Sequence, residues 1–336
     1  MNILIVDDDV VSLQVLAQVL ESDGHTVLQA SDGTQAWELF LKSQVSMVIS
    51  DWMMPGMSGL ELCRKIRSQT ASRYVYVVIL TSRSGTTNVV EGMQAGADEF
   101  LAKPIAPAEL NARVRAGGRI LALESRHVAI FGMAKLAESR DPETGQHLER
   151  IRDYSRCLAL NMAELGVFLN QLTGEFIDTV YLTSPLHDIG KVGIPDCVLL
   201  KPGRLDDAEF QVMKTHAQIG ADTLGAALAQ YPEVEFLRMA RDIALTHHER
   251  FDGKGYPLGL QGEAIPLCGR IVALADVYDA LTSKRVYKNE YTHQVAISII
   301  AEQRGRQFDP HAVDAFLACQ DEFLNIRKKY AEPQGM

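Results

Sequence analysis

The sequence predicts two domains of different class, a doubly wound α/β domain with a five-stranded parallel sheet and, after it, an all-α domain. The chain has 336 residues, which at roughly 100 to 200 residues per domain allows two domains. Up to about residue 105, short apolar runs alternate with amphipathic helical patterns, as in crossover units around a buried parallel sheet. Beyond Arg140, strand-like runs almost vanish and apolar residues recur at helical spacing.

The predicted elements follow directly from these patterns. The five apolar runs that we interpret as strands are residues 3–6, 26–30, 47–50, 75–80 and 100–102. Residues 11–20 have the apolar spacing of a helix. Residues 109–137 are also helical in pattern but contain Gly117 and Gly118, so this linker is either one long helix or two helices separated at the glycines. The predicted domains are residues 1–120 and 125–336, and the linker overlaps the end of the first.

Composition excludes several classes of protein. The net charge is −10 and both halves of the chain are acidic, whereas a DNA-binding output domain needs a positive face. Five cysteines without a Cys-x-x-Cys pair indicate reduced thiols. The N-terminus, MNILIVDDD, does not resemble a signal peptide, and no run approaches the roughly 20 apolar residues that cross a bilayer. We therefore expect a soluble cytoplasmic protein with neither DNA binding nor membrane insertion.

Polar side chains follow four of the predicted strands. Asp7 and Asp8 follow the first run, Asp51 the third, Thr81 the fourth and Lys103 the fifth. Because the carboxyl ends of parallel strands line one cleft, these side chains should meet there. Clustered carboxylates repel one another unless a hard cation such as Mg²⁺ lies among them. A phosphoryl group could then be transferred to Asp51, with Lys103 and Thr81 contacting its oxygens.

The segments ILIVDDD, VISDWMMPGMSG, VILTS and FLAKP resemble the receiver domain of two-component response regulators, over residues 1 to about 120. The resemblance implies a flavodoxin-like fold and a cognate sensor histidine kinase as phosphodonor. It also implies functional roles for seven positions: Asp51 as phosphoacceptor, Asp7, Asp8, Asp51 and the Met53 carbonyl as magnesium ligands, and Thr81, Lys103 and Phe100 as switch residues.

The second domain contains histidines and carboxylates on predicted helical segments. Glu143 and His147 are four residues apart, which on a helix places them on one face. Asp276 lies within the apolar run IVALADVYDAL, where burial without a compensating charge is costly. Nitrogen and oxygen ligands suit Fe, Mn or Zn, and the absence of clustered thiolates argues against a structural zinc site. The candidate ligands are Glu143, His147, His187, Asp188, His216, His247, His248 and Asp276.

His187-Asp188, Gly255-Tyr256-Pro257 and the stretch HHERFDGKGYPLGLQGEAIP closely resemble the HD-GYP family of metal-dependent phosphodiesterases, over roughly residues 125 to 325. Members hydrolyse cyclic di-GMP, and some also hydrolyse cyclic GMP-AMP. The resemblance implies that the candidate ligands hold two or three Fe or Mn ions, three where the upstream Glu143 is present. It further implies substrate contacts and a pocket loop that contacts diguanylate cyclase (GGDEF) proteins; these positions are Lys191, Asp279, Arg285 and Lys288, and Gly255, Tyr256 and Pro257. One departure is Val286, where the family commonly has proline.

These observations lead to one functional hypothesis and two alternatives. The output domain would hydrolyse cyclic di-GMP to pGpG, GMP or both, with Asp188 between the metal ions and Lys191 stabilising charge on the phosphate oxygens. Phosphorylation of Asp51 would regulate it through the linker helix, along which a parallel homodimer would form. The alternatives are an HD-type hydrolase of cyclic GMP-AMP or another nucleotide, and a non-catalytic module that signals through protein contacts.

Overall fold

The computed structural model describes residues 1–69, 74–82, 91–140, 146–283 and 290–331, without the side chains of residues 124–127. The chain divides into two compact units, Met1–Val128 and Ala129–Met336.

The first unit contains a parallel sheet of five strands in the order β2-β1-β3-β4-β5, which confirms the predicted fold class. Because the strand order reverses at β1, the carboxyl ends of β1 and β3 border a cleft. The elements are β1 (Asn2–Val6), α1 (Val10–Ser22), β2 (Thr26–Ala30), α2 (Gly33–Lys42), β3 (Met47–Asp51), α3 (Gly59–Ser68), β4 (Tyr76–Thr81) and β5 (Glu99–Ala102).

The central strands are apolar on both faces, as a sheet covered by helices on both sides requires. Alternate residues of β1 therefore belong to different cores: Leu4 packs with Val48 on one side, and Ile3 and Ile5 pack with Ile49 on the other. Helix α1 begins after Asp9, whose side chain accepts hydrogen bonds from the first free backbone N–H groups of the helix. This cap directs the chain out of the sheet just past the acidic end of β1.

The linker is one helix, α4 (Pro107–Glu138), so of the two predicted alternatives the break at the glycines does not occur. Close packing of α4 against the sheet explains why residue Gly117 lacks a side chain. A Cβ atom there would lie 2.6 Å from Met47 Cε and 2.6 Å from Tyr76 Cδ1, on β3 and β4. The glycine thus lets the helix backbone approach the sheet closely, and this packing more than offsets the roughly 1 kcal/mol by which glycine disfavours a helix.

The second unit is helical. After α4 it contains α5 (His147–Glu164), α6 (Gly174–Thr183), α7 (Asp196–Leu199), α8 (Asp207–Gln230), α9 (Glu235–Thr246), α10 (Leu267–Thr282), α11 (His293–Glu302), α12 (Pro310–Ala318) and α13 (Gln320–Lys329), with 3₁₀ turns at Ser184–Leu186, Ile189–Gly193 and Gly262–Ala264. Stacked and edge-on aromatic rings of Tyr154, Tyr278, Phe316 and Phe323 fill its main core. Among the helices of the described ranges, none combines the length and apolar character that crossing a membrane requires.

Close backbone contacts bring the turn after His187 against α8. A Cβ atom on Gly190 would lie 2.0 Å from the carbonyl oxygen of His216 and 2.5 Å from the backbone nitrogen of Gly220. Only glycine fits at such a distance. This contact fixes the 3₁₀ turn Ile189–Gly193, and Asp188 just before it, at the level of His216 on α8.

Candidate phosphoacceptor and metal sites

The first unit brings the predicted receiver residues together at the carboxyl end of its sheet. One carboxylate oxygen each from Asp7, Asp8 and Asp51 lies within 4.8 Å of the others. The Lys103 ammonium is 2.7 Å from both Asp7 Oδ2 and Asp51 Oδ1. Burial disfavours the charged amine, but Asp51 and Asp7 outweigh it and raise the pKa of Lys103. A fixed cation therefore stands beside Asp51, where it can contact an incoming phosphoryl group.

The other predicted receiver residues lie on or just after strands β3, β4 and β5. Thr81 is the buried last residue of β4, and Met53, two residues beyond β3, has an exposed side chain. Phe100 of β5 is half-buried, with its ring centroid 6.2 Å from that of Trp52. Its ring fills the space beside Gly92, where a Cβ atom would lie 2.2 Å from Phe100 Cζ.

The second unit brings seven of the eight predicted ligands into two neighbouring groups. Within each group, one ligand atom per residue lies within 4.8 Å of the others. The first group, Asp188, His216, His247 and His248, combines the turn after α6 with α8 and the end of α9. The second, His147, His187 and Asp276, combines the start of α5, the same turn and α10.

Asp188 lies between the two groups. Its Oδ2 is 3.3 Å from His187 Nε2, whereas its Oδ1 is 3.2 Å from His216 Nε2 and 3.6 Å from His247 Nε2. Burial favours the neutral carboxyl, but the Lys191 ammonium opposes this effect, and the pKa of Asp188 lies well below its usual range. The buried Oδ1 makes no hydrogen bond in the structure. A buried anionic oxygen of this kind suits a cation.

Backbone carbonyls fix the orientation of the buried imidazoles. His187 Nδ1 donates to the Ser184 carbonyl at 2.9 Å, and His216 Nδ1 donates to the Met213 carbonyl at 2.7 Å. His247 Nδ1 lies 3.1 Å from the carbonyl of Ile243. Because a carbonyl oxygen can only accept, Nδ1 carries the proton in each ring, and the Nε2 lone pair faces the cluster. Such outer hydrogen bonds are typical of metal-binding histidines.

The Nε2 atoms face one another in two pairs. His147 Nε2 is 3.4 Å from His187 Nε2, and His216 Nε2 is 3.5 Å from His247 Nε2. Burial lowers the pKa of His247 and holds that of His248 well below its usual range, which favours neutral rings. Lone pairs that face each other at this distance repel unless a cation lies between them. The residues therefore fit a centre of imidazole- and carboxylate-bound metal ions.

Asp279, which the sequence predicts as a substrate contact, lies behind His147 in the structure. Its side chain is 2% exposed, and Oδ2 accepts a hydrogen bond from His147 Nδ1 at 2.8 Å. Arg150 holds both oxygens, with Nε 2.5 Å from Oδ1 and Nη2 3.0 Å from Oδ2. Burial favours the neutral acid, but His147 and Arg150 outweigh it and lower the pKa of Asp279 to about 2. Asp279 thus links His147 to Arg150 and holds the His147 ring in place.

Lys191 is the predicted phosphate contact that the structure places at the cluster. Its ammonium is 2.8 Å from Asp188 Oδ2, one turn after that residue. The third ligand of the second group, Asp276, has an oxygen 3.9 Å from His187 Nε2. The other predicted contacts, Arg285 and Lys288, and the predicted ligand Glu143 lie outside the described residues.

The loop with Gly255, Tyr256 and Pro257 borders the first group. The Tyr256 ring lies against that of His248, with centroids 4.7 Å apart and planes 32° apart. A Cβ atom on Gly255 would lie 2.3 Å from the backbone nitrogen of Arg250, so the loop folds tightly onto the segment after the histidine pair. The close approach of the two backbone segments therefore requires a glycine at this position.

Glu249 holds this loop, a role that no motif in the sequence indicates. The side chain is 3% exposed and accepts hydrogen bonds from the backbone N–H groups of Leu258, Gly259 and Leu260, at 2.7, 3.1 and 3.0 Å. Three amide donors satisfy the buried carboxylate without a cation. The only signal in the sequence is an acidic residue directly after His247 and His248.

Two different protein-family models match the two units of the chain. Residues 3–115 match the response regulator receiver domain, and residues 132–312 match the HD domain. A probable cyclic di-GMP phosphodiesterase of Vibrio cholerae is 37% identical, in an alignment that covers 99% of this chain and 81% of that protein. The chain belongs to the response regulators with an HD-GYP output domain.

Two further relatives differ in the substrate that their names give. The cyclic di-GMP phosphodiesterase response regulator RpfG of Xanthomonas campestris pv. campestris is 38% identical, with 94% of this chain and 87% of that protein covered. The 3'3'-cGAMP-specific phosphodiesterase 2 of Vibrio cholerae is 40% identical, but the alignment covers 61% of this chain and 37% of that protein.

Proposed function

We propose that this chain hydrolyses cyclic di-GMP to linear pGpG, GMP or both, under the control of phosphorylation at Asp51. The observation that carries the proposal is the position of Asp188 between two groups of imidazole ligands, with Lys191 beside it. A centre of this kind suits phosphodiester hydrolysis, because adjacent metal ions can stabilise both the attacking and the leaving oxygen. The names of the relatives with long alignments support cyclic di-GMP as the substrate.

The two ligand groups would hold two Fe or Mn ions, or three if Glu143 contributes, and these ions when bound would activate water for attack on phosphorus. The chain supplies the rest of the chemistry. Asp188 keeps the two groups at a fixed separation. Lys191 offers an ammonium for the charge that develops on the non-bridging phosphate oxygens. Water adds across the P–O3′ bond, and the released 3′ oxygen takes up a proton.

The receiver half would bind Mg²⁺ through Asp7, Asp8, Asp51 and the Met53 carbonyl, and a sensor histidine kinase would be the phosphodonor. The clustered carboxylates and the Lys103 ammonium support this role, because a phosphoryl group on Asp51 needs both cations to balance its charge. Thr81 and Phe100, the predicted switch residues, would change their contacts when Asp51 is phosphorylated. Helix α4 begins five residues after β5 and is the natural route for the response.

A parallel homodimer along α4 and a contact of the Gly255-Tyr256-Pro257 loop with GGDEF proteins complete the proposal. Val128, Met133 and Leu136 of α4 are each more than 60% exposed, and Gly132 between them has open space beside it. An apolar surface on a long helix favours pairing with a second copy. Light scattering of Met133→Glu, Leu136→Glu double-mutant protein should then report a monomer where the unchanged chain reports a dimer.

The second candidate substrate is 3'3'-cGAMP, which the shorter relative favours by its name. Chromatography of the products from Mn- or Fe-loaded full-length protein separates the candidates. Conversion of cyclic di-GMP well above that of 3'3'-cGAMP supports the proposal, and the reverse ranking replaces the substrate. The control is the His187→Ala, Asp188→Ala double variant, which should bind little metal and hydrolyse neither. Metal-loaded protein that hydrolyses neither dinucleotide would favour the non-catalytic alternative.

A further inference from the structure

An aromatic surface borders the first ligand group on the side of His248. The Tyr256 ring that lies against His248 meets Phe210 of α8 nearly edge-on, with centroids 6.4 Å apart and planes 79° apart. Phe210 is 45% exposed, so part of its ring is open to solvent. Neither ring belongs to a hydrophobic core of the described residues. An exposed aromatic ring, Phe210, and a half-buried one, Tyr256, thus lie together beside a polar site.

A lysine completes this surface. The Lys214 ammonium is 4.8 Å from the Phe210 ring centroid and 5.4 Å from the Tyr256 ring centroid. Phe210 and Lys214 are four residues apart on α8 and so share one face of the helix. The polar neighbour of the ammonium is Gln211 Oε1 at 3.5 Å, and no carboxylate in the described part of the chain pairs with it. Its hydrogen-bonding capacity is thus available to a ligand. We call Phe210, Lys214 and Tyr256 the aromatic corner.

The corner adjoins the ligand groups directly. The His248 ring that contacts Tyr256 also lies 5.0 Å, centroid to centroid, from the ring of His216, which is on the same helix as Phe210 and Lys214. A dinucleotide whose phosphate reaches these histidines must direct a nucleoside away from them. On this side of the site, that nucleoside meets two aromatic rings and an ammonium.

We propose that the aromatic corner is a subsite for a purine base, a proposal that rests on the proposed function. The base stacks against the exposed ring of Phe210 and the edge of Tyr256, since aromatic side chains bind bases through their π faces. Lys214 donates to O6 and N7 of guanine, the acceptors that lysine and arginine commonly contact. Adenine presents an amino group in place of O6 and repels the donor. The corner therefore selects guanine as well as binding it.

The stacking part is tested with Phe210→Ala and Phe210→Trp in full-length Mn-loaded protein. Loss of one stacking partner should raise the KM for cyclic di-GMP about 5- to 100-fold, with a much smaller change in kcat. Tryptophan should recover most of the loss. The control is Tyr231→Ala, an exposed aromatic about 31 Å along α8, which should leave KM unchanged. A cyclic dinucleotide that carries 2-aminopurine gives an independent readout: its fluorescence should be quenched on rapid mixing with unchanged and Phe210→Trp protein and not with Phe210→Ala.

The selectivity part is tested with Lys214→Met, which keeps the length of the side chain and removes the donor. The ratio of kcat/KM for cyclic di-GMP over cyclic di-AMP should fall about 5- to 100-fold. The aromatic corner is rejected, and the proposed function stands, if the unchanged chain hydrolyses cyclic di-GMP, Phe210→Ala keeps its KM, and Lys214→Met keeps its ratio of kcat/KM for cyclic di-GMP over cyclic di-AMP. If metal-loaded unchanged protein neither binds nor hydrolyses any cyclic dinucleotide, both proposals fail.

Discussion

Asp188 Oδ1 lies 3.2 Å from His216 Nε2, across the contact between a 3₁₀ turn and helix α8. This oxygen is buried, anionic and without a hydrogen bond, while its partner Oδ2 faces His187 and Lys191. One carboxylate is thus shared by two groups of ligands that come from five separate segments of the chain. A cation bound by either group would therefore be attracted by the same carboxylate charge, that of Asp188.

Replacing Asp188 by Asn should greatly weaken metal binding by both ligand groups, because the amide keeps the shape of the side chain and removes the shared charge. We expect phosphodiesterase activity to fall at least about 100-fold, more than for a typical change outside the ligands. Metal analysis by mass spectrometry checks the cause: the metal content per chain should fall together with the activity. Asp222→Asn, an exposed acid on α8, is the control and should change neither. Wild-type metal content in Asp188→Asn would contradict the shared role.

Replacing Asp279 by Asn should weaken metal binding through His147. A residue that orients a metal-binding histidine typically contributes about 10- to 100-fold in metal affinity or activity. The change also leaves Arg150 buried without its anion, which should lower the free energy of unfolding by about 3 to 5 kcal/mol. Urea unfolding of chelated protein and metal titration measure the two effects separately.

The matched control for Asp279→Asn is Asp178→Asn. Asp178 also pairs with an arginine, Arg156, at 3.5 Å, but both side chains are exposed. Exposed pairs contribute about 0 to 1 kcal/mol, so stability and metal affinity should stay close to those of the unchanged chain. If Asp279→Asn behaves like Asp178→Asn, then Asp279 does not orient His147.

Adding a methyl group at Gly190 should displace Asp188 from His216. The new Cβ atom would lie 2.0 Å from the His216 carbonyl oxygen, so the turn or α8 must move. Overpacking of this kind lowers stability by about 1 to 3 kcal/mol. Thermal unfolding and phosphodiesterase assays should both show a loss. Gly203→Ala, where the added atom meets nothing within 4 Å, should show neither loss, and equal behaviour of the two variants would refute the argument.

Asp51 should accept phosphate from a small donor such as acetyl phosphate when Mg²⁺ is present. The Lys103 ammonium, 2.7 Å from Asp51 Oδ1, is placed to contact the new group. Intact mass spectrometry should show one added phosphate per chain, lost in Asp51→Asn and on chelation of the metal. Asp23→Asn serves as the control because Asp23 lies at the far end of α1 from the cleft. Labelling that persists in Asp51→Asn would mean that a residue other than Asp51 is the phosphoacceptor.

The order and class of the elements and the types of ligand follow from the amino-acid sequence alone. Short apolar runs mark the strands of the first unit and helical spacing marks its helices, so the runs at residues 26–30 and 47–50 locate β2 and β3 to within one residue. The carboxyl-end rule then places Asp7 and Asp51 in one cleft, because chain direction alone decides which ends of parallel strands meet.

Which side chains face each other depends on the folded chain. The division of the ligands into two groups, the position of Asp188 between them and the role of Asp279 behind His147 depend on contacts across as many as 132 residues of sequence. Glu249 and Phe210 belong to no pattern along the chain, since the amides and rings they contact come from other segments. Local periodicity fixes the face of an element, but long-range packing sets the distances, and the chemistry of this site depends on distances.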